Sequence, residues 1–328
     1  MRAAVLGGGS WGTAFCRLLV GAGHTAILWT RREEAAAQLT ALRENLDYLP
    51  GVPLPAELQV TPTLPKAVQE AQALFLAVPS FAMRAVATAC NPHLPARIPL
   101  VHLAKGLDPE SGLRMSEVLA QELPGHPVFA LSGPSHAEEV ARDQPTAVVL
   151  AGTPSDTGQK LQTELMAPRF RVYLSEDLLG VEYCSVIKNV LAVGTGISDG
   201  LGHGDNARAA LVARGLAEMT RFGRALGARP ETFYGLAGLG DLVATATSDL
   251  SRNRRAGVRL GQGEGTDDIV ASMHMVAEGL HAATQLWALA QQHGVDMPIT
   301  EAVYRIVHLG EPPAQQIPAL MERPPKWE

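Results

Sequence analysis

Along the first half of the chain, short apolar runs alternate with amphipathic stretches. Residues 3–6, 25–30, 58–61, 73–78, 99–103, 128–132, 147–151 and 171–175 read as strands, and the segments joining them carry helical spacing. That alternation is the signature of βα units wound around a mostly parallel sheet. From about residue 179 the β-rich runs stop, and the pattern becomes long, Ala- and Leu-rich and helical, broken by glycine clusters at 235–240 and 261–265. The expectation is therefore an α/β domain over 1–178 followed by an all-α domain over 179–328. Residues 45–55 contain Pro50, Pro53 and Pro55. They can be neither helix nor central strand, and read as a surface excursion placed to fold over a ligand. The Pro-containing stretch 312–325 reads as a tail.

The first strand runs into Gly7-Gly8-Gly9-Ser10-Trp11-Gly12 and then into an apolar helical segment from Thr13. In that setting the glycines form a dinucleotide fingerprint. Gly7 permits the turn off the strand, Gly9 lets the backbone approach a pyrophosphate, and Gly12 allows close helix packing, with the phosphates at the helix start. The α/β domain is thus expected to be of Rossmann type. The second strand ends at Trp29-Thr30-Arg31-Arg32. An NAD-specific site usually carries an acid there, whereas Arg31 and Arg32 offer two cations to a 2′-phosphate, so NADP is the expected cofactor; Glu33 and Glu34 follow and keep NAD open.

The chain has 328 residues, 46% hydrophobic, enough for two cored domains, and a formal charge of -6. No basic block is present to track nucleic acid or an anionic membrane, so the expected partner is a small molecule. Cys16, Cys90 and Cys184 are widely spaced and form no C-x-x-C pair, which suits a reducing cytoplasm, and the ten His lack ligand spacing, so no metal is expected. No signal-peptide core precedes the glycines, and no apolar run reads as long enough to span a bilayer. A homodimer is left open.

Four segments carry candidate chemistry. Lys188 stands in 181–193, a stretch otherwise rich in Val, Ile, Leu, Ala and Cys. An ammonium among such neighbours is expected to titrate low enough for proton transfer, unless its stem reaches out to water. Lys105 follows a strand at the sheet edge where open α/β folds bind ligands. Ser251-Arg252-Asn253-Arg254-Arg255 opens a helix, with Ser251 or Asp249 as N-cap. Three Arg in a first turn oppose the macrodipole, and a bound phosphate monoester would remove the conflict. Asp241, after a Gly-rich turn, is either an N-cap or an acid that binds a substrate hydroxyl or steadies an active Lys. His203 reads as a loop residue.

In order along the chain, GGGSWGTA, NLDYLPG, VPS, AKGL, SGPSHAEEVA, EYCSVIKN, GLAGLGDL, LSRNRR, VAEGL and MPITEAVY resemble the bacterial-type NAD(P)-dependent glycerol-3-phosphate dehydrogenases over nearly the whole chain. The resemblance implies reversible reduction of dihydroxyacetone phosphate to sn-glycerol 3-phosphate in the cytoplasm, supplying phospholipid synthesis. It implies that Lys188 is the catalytic acid/base, with Lys105 and Asp241 also in the catalytic set. Gly133, Ser135, Asp241, Ser251, Arg252 and Asn253 would bind substrate together with the two Lys. Ser10, Trp11, Arg31, Arg32, Tyr48, Lys105, Ala137, Arg252, Val276 and Glu278 would contact the dinucleotide beside Gly7, Gly9 and Gly12. Phe81, His136 and Gly8 depart from the family's usual Gln, Phe and Ala. A β-hydroxyacid dehydrogenase is the neighbouring reading, since it too carries a Lys on the first helix of its helical domain.

Overall fold

Strand β1 (Arg2–Leu6) delivers the chain to the glycine turn at the centre of a sheet completed by β2 (Thr25–Trp29), β5 (Gln59–Thr61), β6 (Ala73–Leu76), β7 (Leu100–His102), β8 (Val128–Ser132), β9 (Thr146–Gly152) and β10 (Phe170–Ser175). The remaining two strands, β3 (Glu44–Asn45) and β4 (Leu49–Pro53), pair antiparallel as a separate hairpin. Sheet order is β10-β9-β8-β7-β6-β1-β2-β5. Every pairing is parallel except β8 with β9. The hairpin aside, the first six sheet strands follow the doubly wound order, whose switch point lies between β1 and β6. The expected Rossmann-type sheet is therefore present, and each predicted strand lies within two residues of its observed bounds. The computed structural model describes residues 1–322 apart from His274.

Helices α1 (Ser10–Gly21), α2 (Glu33–Leu42), α3 (Leu64–Val68), α4 (Met83–Cys90), α5 (Met115–Glu122), α6 (Ala137–Ala141) and α7 (Asp156–Leu165) connect the strands. Their apolar faces and the sheet enclose two clusters. One is built around Phe15, Phe75, Val101 and Val148, the other around Leu6, Leu74, Met83 and Leu119. Strands covered on both faces explain why β1 and β6 are continuous apolar runs rather than alternating ones. Within residues 45–55, neither helix nor central strand as expected, much of the segment pairs as the β3–β4 hairpin, separate from the main sheet. Its Leu49 and Val52 are buried with Ala14, Ala137 and Ala141, and Trp11 packs against the group. The prolines are tolerated because a two-stranded ribbon leaves one edge of each strand unpaired.

Helix α8 (Leu178–Gly200) follows, and the chain divides into two units inside it, at Glu182 and Tyr183. At 23 residues it is long and apolar enough to cross a membrane, contrary to the sequence expectation that no such run exists, yet most of it is buried within the protein. The second unit continues with α9 (Asp205–Ala225), α10 (Pro230–Tyr234), α11 (Asp241–Thr247), α12 (Arg252–Gly261), α13 (Thr266–Ser272), α14 (Glu278–Gln292), α15 (Pro298–Leu309) and α16 (Pro313–Met321). It is the all-α domain expected. As expected, the glycine cluster at 235–240 breaks the helical path, at Gly235, whose ψ of -166° is extended; Leu236–Gly240 then winds as a π-helical turn into α11, with the Gly240 N–H bonded to the Gly235 carbonyl at 3.1 Å. One local expectation fails. The proline-containing tail holds α16, whose Pro313 sits at the helix start, where a missing N–H costs nothing. The end of the predicted tail, 323–325, lies outside the described residues.

Helices α8 and α12 cross at glycines. A methyl group on Gly196 or Gly200 would collide with the Arg254 or Val258 carbonyl, and one on Gly257 or Gly261 with the Val193 or Ile197 carbonyl. Two glycines four apart on each helix let the backbones touch, which sets the start of α12 beside Asn189 on α8.

Candidate active site

The glycine turn has the geometry its residue types suggest. Gly7 lies at φ +119°, and an added Cβ there would strike the Ala77 carbonyl. On Gly12 a Cβ would meet the Gly7 carbonyl, while on Gly9 it would meet nothing within 4 Å. Only Gly9 faces open space, which is the position that lets a pyrophosphate reach the N–H groups opening α1. The cradle fits a dinucleotide.

Around it the first unit gathers other predicted contacts. Trp11 stands on α1 with its ring 5.8 Å from Phe15, and it packs against the cluster that holds Ala137 of α6 and Leu49 of the hairpin. Asn45, which sequence reasoning missed, ties the hairpin to the turn. Its amide donates to the Gly8 carbonyl at 3.0 Å and to Thr13 Oγ1 at 2.7 Å, and its oxygen accepts from the Tyr48 N–H at 3.2 Å. Arg31 and Arg32 are exposed at the end of β2, and Arg32 is the N-cap of α2, 3.6 Å from the Asp47 carboxylate. Gly8 has a local reason to lack a side chain, since a methyl there would sit 3.0 Å from Thr30 Cβ.

Further along the same unit, Lys105 is half-buried, and its Nζ donates to the Gly133 carbonyl at 3.3 Å; Ser135 Oγ donates to the same carbonyl at 2.9 Å. Three predicted residues from two loops thus meet at one carbonyl. In the same unit Glu182, buried, accepts from the Ser116 N–H at 2.8 Å, Ser116 Oγ at 2.6 Å and Arg114 Nη1 at 2.7 Å, and lies 3.1 Å from His102 Nε2. Burial by itself would raise its carboxyl, but His102, Arg114 and Ser116 together hold it below the usual range.

In the second unit Lys188 is 5% exposed and Asp241 2%. Lys188 Nζ donates to Asp241 Oδ1 at 2.9 Å and to Thr245 Oγ1 at 2.7 Å. The Thr245 hydroxyl donates to the Asp241 carbonyl at 2.6 Å, so its single proton is used and it must accept from Lys188. This arrangement corrects the premise that Lys188 has only apolar company: its stem does not reach out to water, and its partners come from α11. Asp241 is not an N-cap, a position held by Gly240; its carboxylate serves the Lys. Thr245 was missed, although its i,i+4 spacing from Asp241 puts both on one helix face.

Ser251 is the N-cap of α12, accepting from the Arg254 N–H at 3.2 Å. The dipole conflict is partly resolved within the chain. Arg254 Nε and Nη1 donate to Asp199 at 2.8 Å and Asp249 at 2.6 Å, so Asp249 is its partner and not the cap. Arg252 is half-buried at the same helix start. Asn253 is buried and engaged at both ends of its amide, donating to Asn189 Oδ1 at 2.8 Å and accepting from the Gly279 N–H at 2.9 Å. Glu278 begins α14 next to Gly279, and Val276 precedes it half-buried. Burial raises the Cys16 thiol and pushes Cys90 up to about 12, which leaves both unreactive. His203 lies in the turn after α8, with Nδ1 3.2 Å from Ser198 Oγ.

A doubly wound sheet with a phosphate-cradling turn, followed by a helical unit carrying a buried Lys–Asp pair, defines a dinucleotide-dependent oxidoreductase. Residues 2–157 match the NAD-dependent glycerol-3-phosphate dehydrogenase N-terminus, and residues 177–318 the C-terminus of the same family. The chain belongs to the NAD-dependent glycerol-3-phosphate dehydrogenases. It is 47% identical over 326 residues to the glycerol-3-phosphate dehydrogenase (NAD(P)+) of Pelotomaculum thermopropionicum, covering 98% of this chain and 93% of the relative. It is 48% identical over 321 residues to the protein of the same name from Moorella thermoacetica, covering 98% and 96%. The crystal structure of glycerol-3-phosphate dehydrogenase from Coxiella burnetii superimposes with a TM-score of 0.95 at 42% identity, covering 98% of this chain and 99% of that one.

Proposed function

We propose that this chain catalyses the reversible reduction of dihydroxyacetone phosphate to sn-glycerol 3-phosphate with NADPH or NADH. The observation that carries this reading is the buried contact of Lys188 with Asp241 and Thr245. Reduced nicotinamide, when bound, supplies the hydride that adds to C2 as the carbonyl π bond opens. Lys188 gives the forming alkoxide its proton, and in the reverse direction takes it back. Asp241 keeps the buried ammonium charged while it waits, since an isolated cation at that depth would be costly. Lys105 is a further substrate contact and borders the cofactor.

Arg252 holds the phosphate monoester with a charge-assisted fork, aided by the N–H groups that open α12 and by the Ser251 hydroxyl, whose proton is not used in capping. Gly133 and Ser135 complete the substrate contacts. Asn253 acts by fixing the α12 start against Asn189, so that binding energy from the phosphate orients the carbonyl. Gly7, Gly9, Ser10 and Gly12 hold the pyrophosphate, Arg31 and Arg32 the 2′-phosphate, and Trp11, Tyr48, Ala137, Val276 and Glu278 the rest of the dinucleotide. The same reading places the enzyme in the cytoplasm, at the supply of the phospholipid backbone, and is compatible with a homodimer. The test is loss of reduced-nicotinamide absorbance on adding dihydroxyacetone phosphate, with a β-hydroxyacid pathway substrate as comparison. Arg252→Ala is expected to raise KM for dihydroxyacetone phosphate at least tenfold. Turnover of the carboxylate alone would refute the reading.

A further inference from the structure

We propose that Asp47 is a specificity-determining residue for the cofactor: by holding Arg32 and by repelling a 2′-phosphate, it weakens NADPH binding and leaves NADH binding nearly untouched. The inference rests on the reading of Arg32 as a 2′-phosphate ligand. Thr30, at the end of β2, supplies no carboxylate there. The hairpin supplies one instead. Among the described residues, Asp47 is the acid recorded within ion-pair distance of Arg32, with Oδ2 3.6 Å from Nη2.

Asp47 does not ride on a free loop. Two residues earlier, Asn45 is buried and bonded to the Gly8 carbonyl and Thr13, and it also accepts the Tyr48 N–H. Two residues later, Leu49 is buried against Ala14 and Ala137. The turn carrying Asp47 is therefore clamped on both sides to the glycine turn and α1, so the carboxylate stays beside the guanidinium. The pair itself is open to water, at 56% and 54% side-chain exposure. Such a pair is weak enough to be broken by a competing anion.

A 2′-phosphate carries up to two negative charges and needs the Arg32 fork. To take it, Arg32 must leave Asp47, and the phosphate must then lie close to a carboxylate of like charge. A bare ribose hydroxyl meets neither requirement. Arg31 adds a second cation next to the site, and Glu33 and Glu34 occupy the first turn of α2, where they answer the helix dipole.

The test is fluorescence titration of NADPH and of NADH into the parent protein, Asp47→Asn, Arg32→Ala and the double variant, at low and high ionic strength. Both positions are exposed, so all four proteins are expected to fold, which far-ultraviolet circular dichroism checks. Asp47→Asn is expected to lower the Kd for NADPH about twofold to fivefold at low salt and to leave that for NADH within error. The gain is expected to shrink at high salt and in the Arg32→Ala background. If Arg32→Ala weakens NADPH while Asp47→Asn leaves it unchanged or weaker, or shifts NADH equally, the proposal for Asp47 fails and the reading of Arg32 stands. If Arg32→Ala binds NADPH as tightly as the parent, the reading of Arg32 falls and the proposal with it.

Discussion

The glycine crossing of α8 and α12 gives a sharp prediction through Gly257→Ala. A methyl there would collide with the Val193 carbonyl and lie 2.9 Å from Gly196 Cα and Ile197 N. All three are helix backbone, which cannot swing aside as a side chain can, so the helices must part by about 1 Å to restore ordinary contact. The bonds from Asn253 to Asn189 at 2.8 Å and from Gly279 to Asn253 at 2.9 Å would then stretch beyond useful reach. Overpacking costs about 1–3 kcal/mol and each lost buried hydrogen bond roughly 1 kcal/mol, so a loss of about 3–5 kcal/mol is expected. Displacing the start of α12 by this amount is expected to raise KM for dihydroxyacetone phosphate at least tenfold, because an error of about 1 Å in positioning can cost up to a hundredfold. Urea unfolding and steady-state kinetics read the two effects. Gly204→Ala serves as control, since a methyl there meets nothing within 4 Å. A Gly257→Ala protein with the parent's unfolding midpoint and KM would refute the claim that the crossing positions the phosphate end.

Three further outcomes follow from the site. Gly9→Ala is expected to fold normally and lose at least tenfold in NADPH affinity by fluorescence titration, whereas Gly7→Ala, with φ +119° and the Ala77 carbonyl in the way, is expected to unfold early in a thermal melt. Glu182 has its folded-state carboxyl held low, so its contribution is present above the unfolded value of about 4.3 and lost as pH falls through the folded value. Glu182→Gln should therefore flatten the acid limb of stability below about pH 4.3, read as melting temperature against pH; a limb identical to the parent's would contradict this. Asp241→Ala strands a buried ammonium and is expected to destabilise by about 3–5 kcal/mol in chemical unfolding, well beyond the change expected for a surface carboxylate.

Much of this was legible locally. The run from β1 through Gly12 is contiguous, so its turn geometry follows from residue type, and strands covered on both faces announce themselves as unbroken apolar runs. What sequence left open lies in pairs distant along the chain. Asp241 stands 53 residues from Lys188, and only the folded helices decide between an N-cap and a partner. Of the Arg residues crowded at the start of α12, Arg254 is answered by Asp199, 55 residues away, as well as by Asp249, and only the folded chain shows it. Nor does sequence show that the Asn253 amide bonds Asn189 and Gly279, 64 and 26 residues away. The prolines of 45–55 excluded a helix and a central strand, but a two-stranded ribbon tolerates them, so the hairpin pairing itself was not legible.

Delivery of the proton by Lys188 is open to a single-turnover measurement of reduction by Lys188→Met. Because removing one half of a buried ion pair strains folding, Lys188→Met/Asp241→Asn is measured beside it, and both are taken forward only with native circular dichroism. NADPH affinity is expected to stay within twofold of the parent, and hydride transfer to dihydroxyacetone phosphate to slow by about two to four orders of magnitude in both proteins. Transfer within tenfold of the parent rate, with NADPH bound as before, would contradict proton delivery by Lys188.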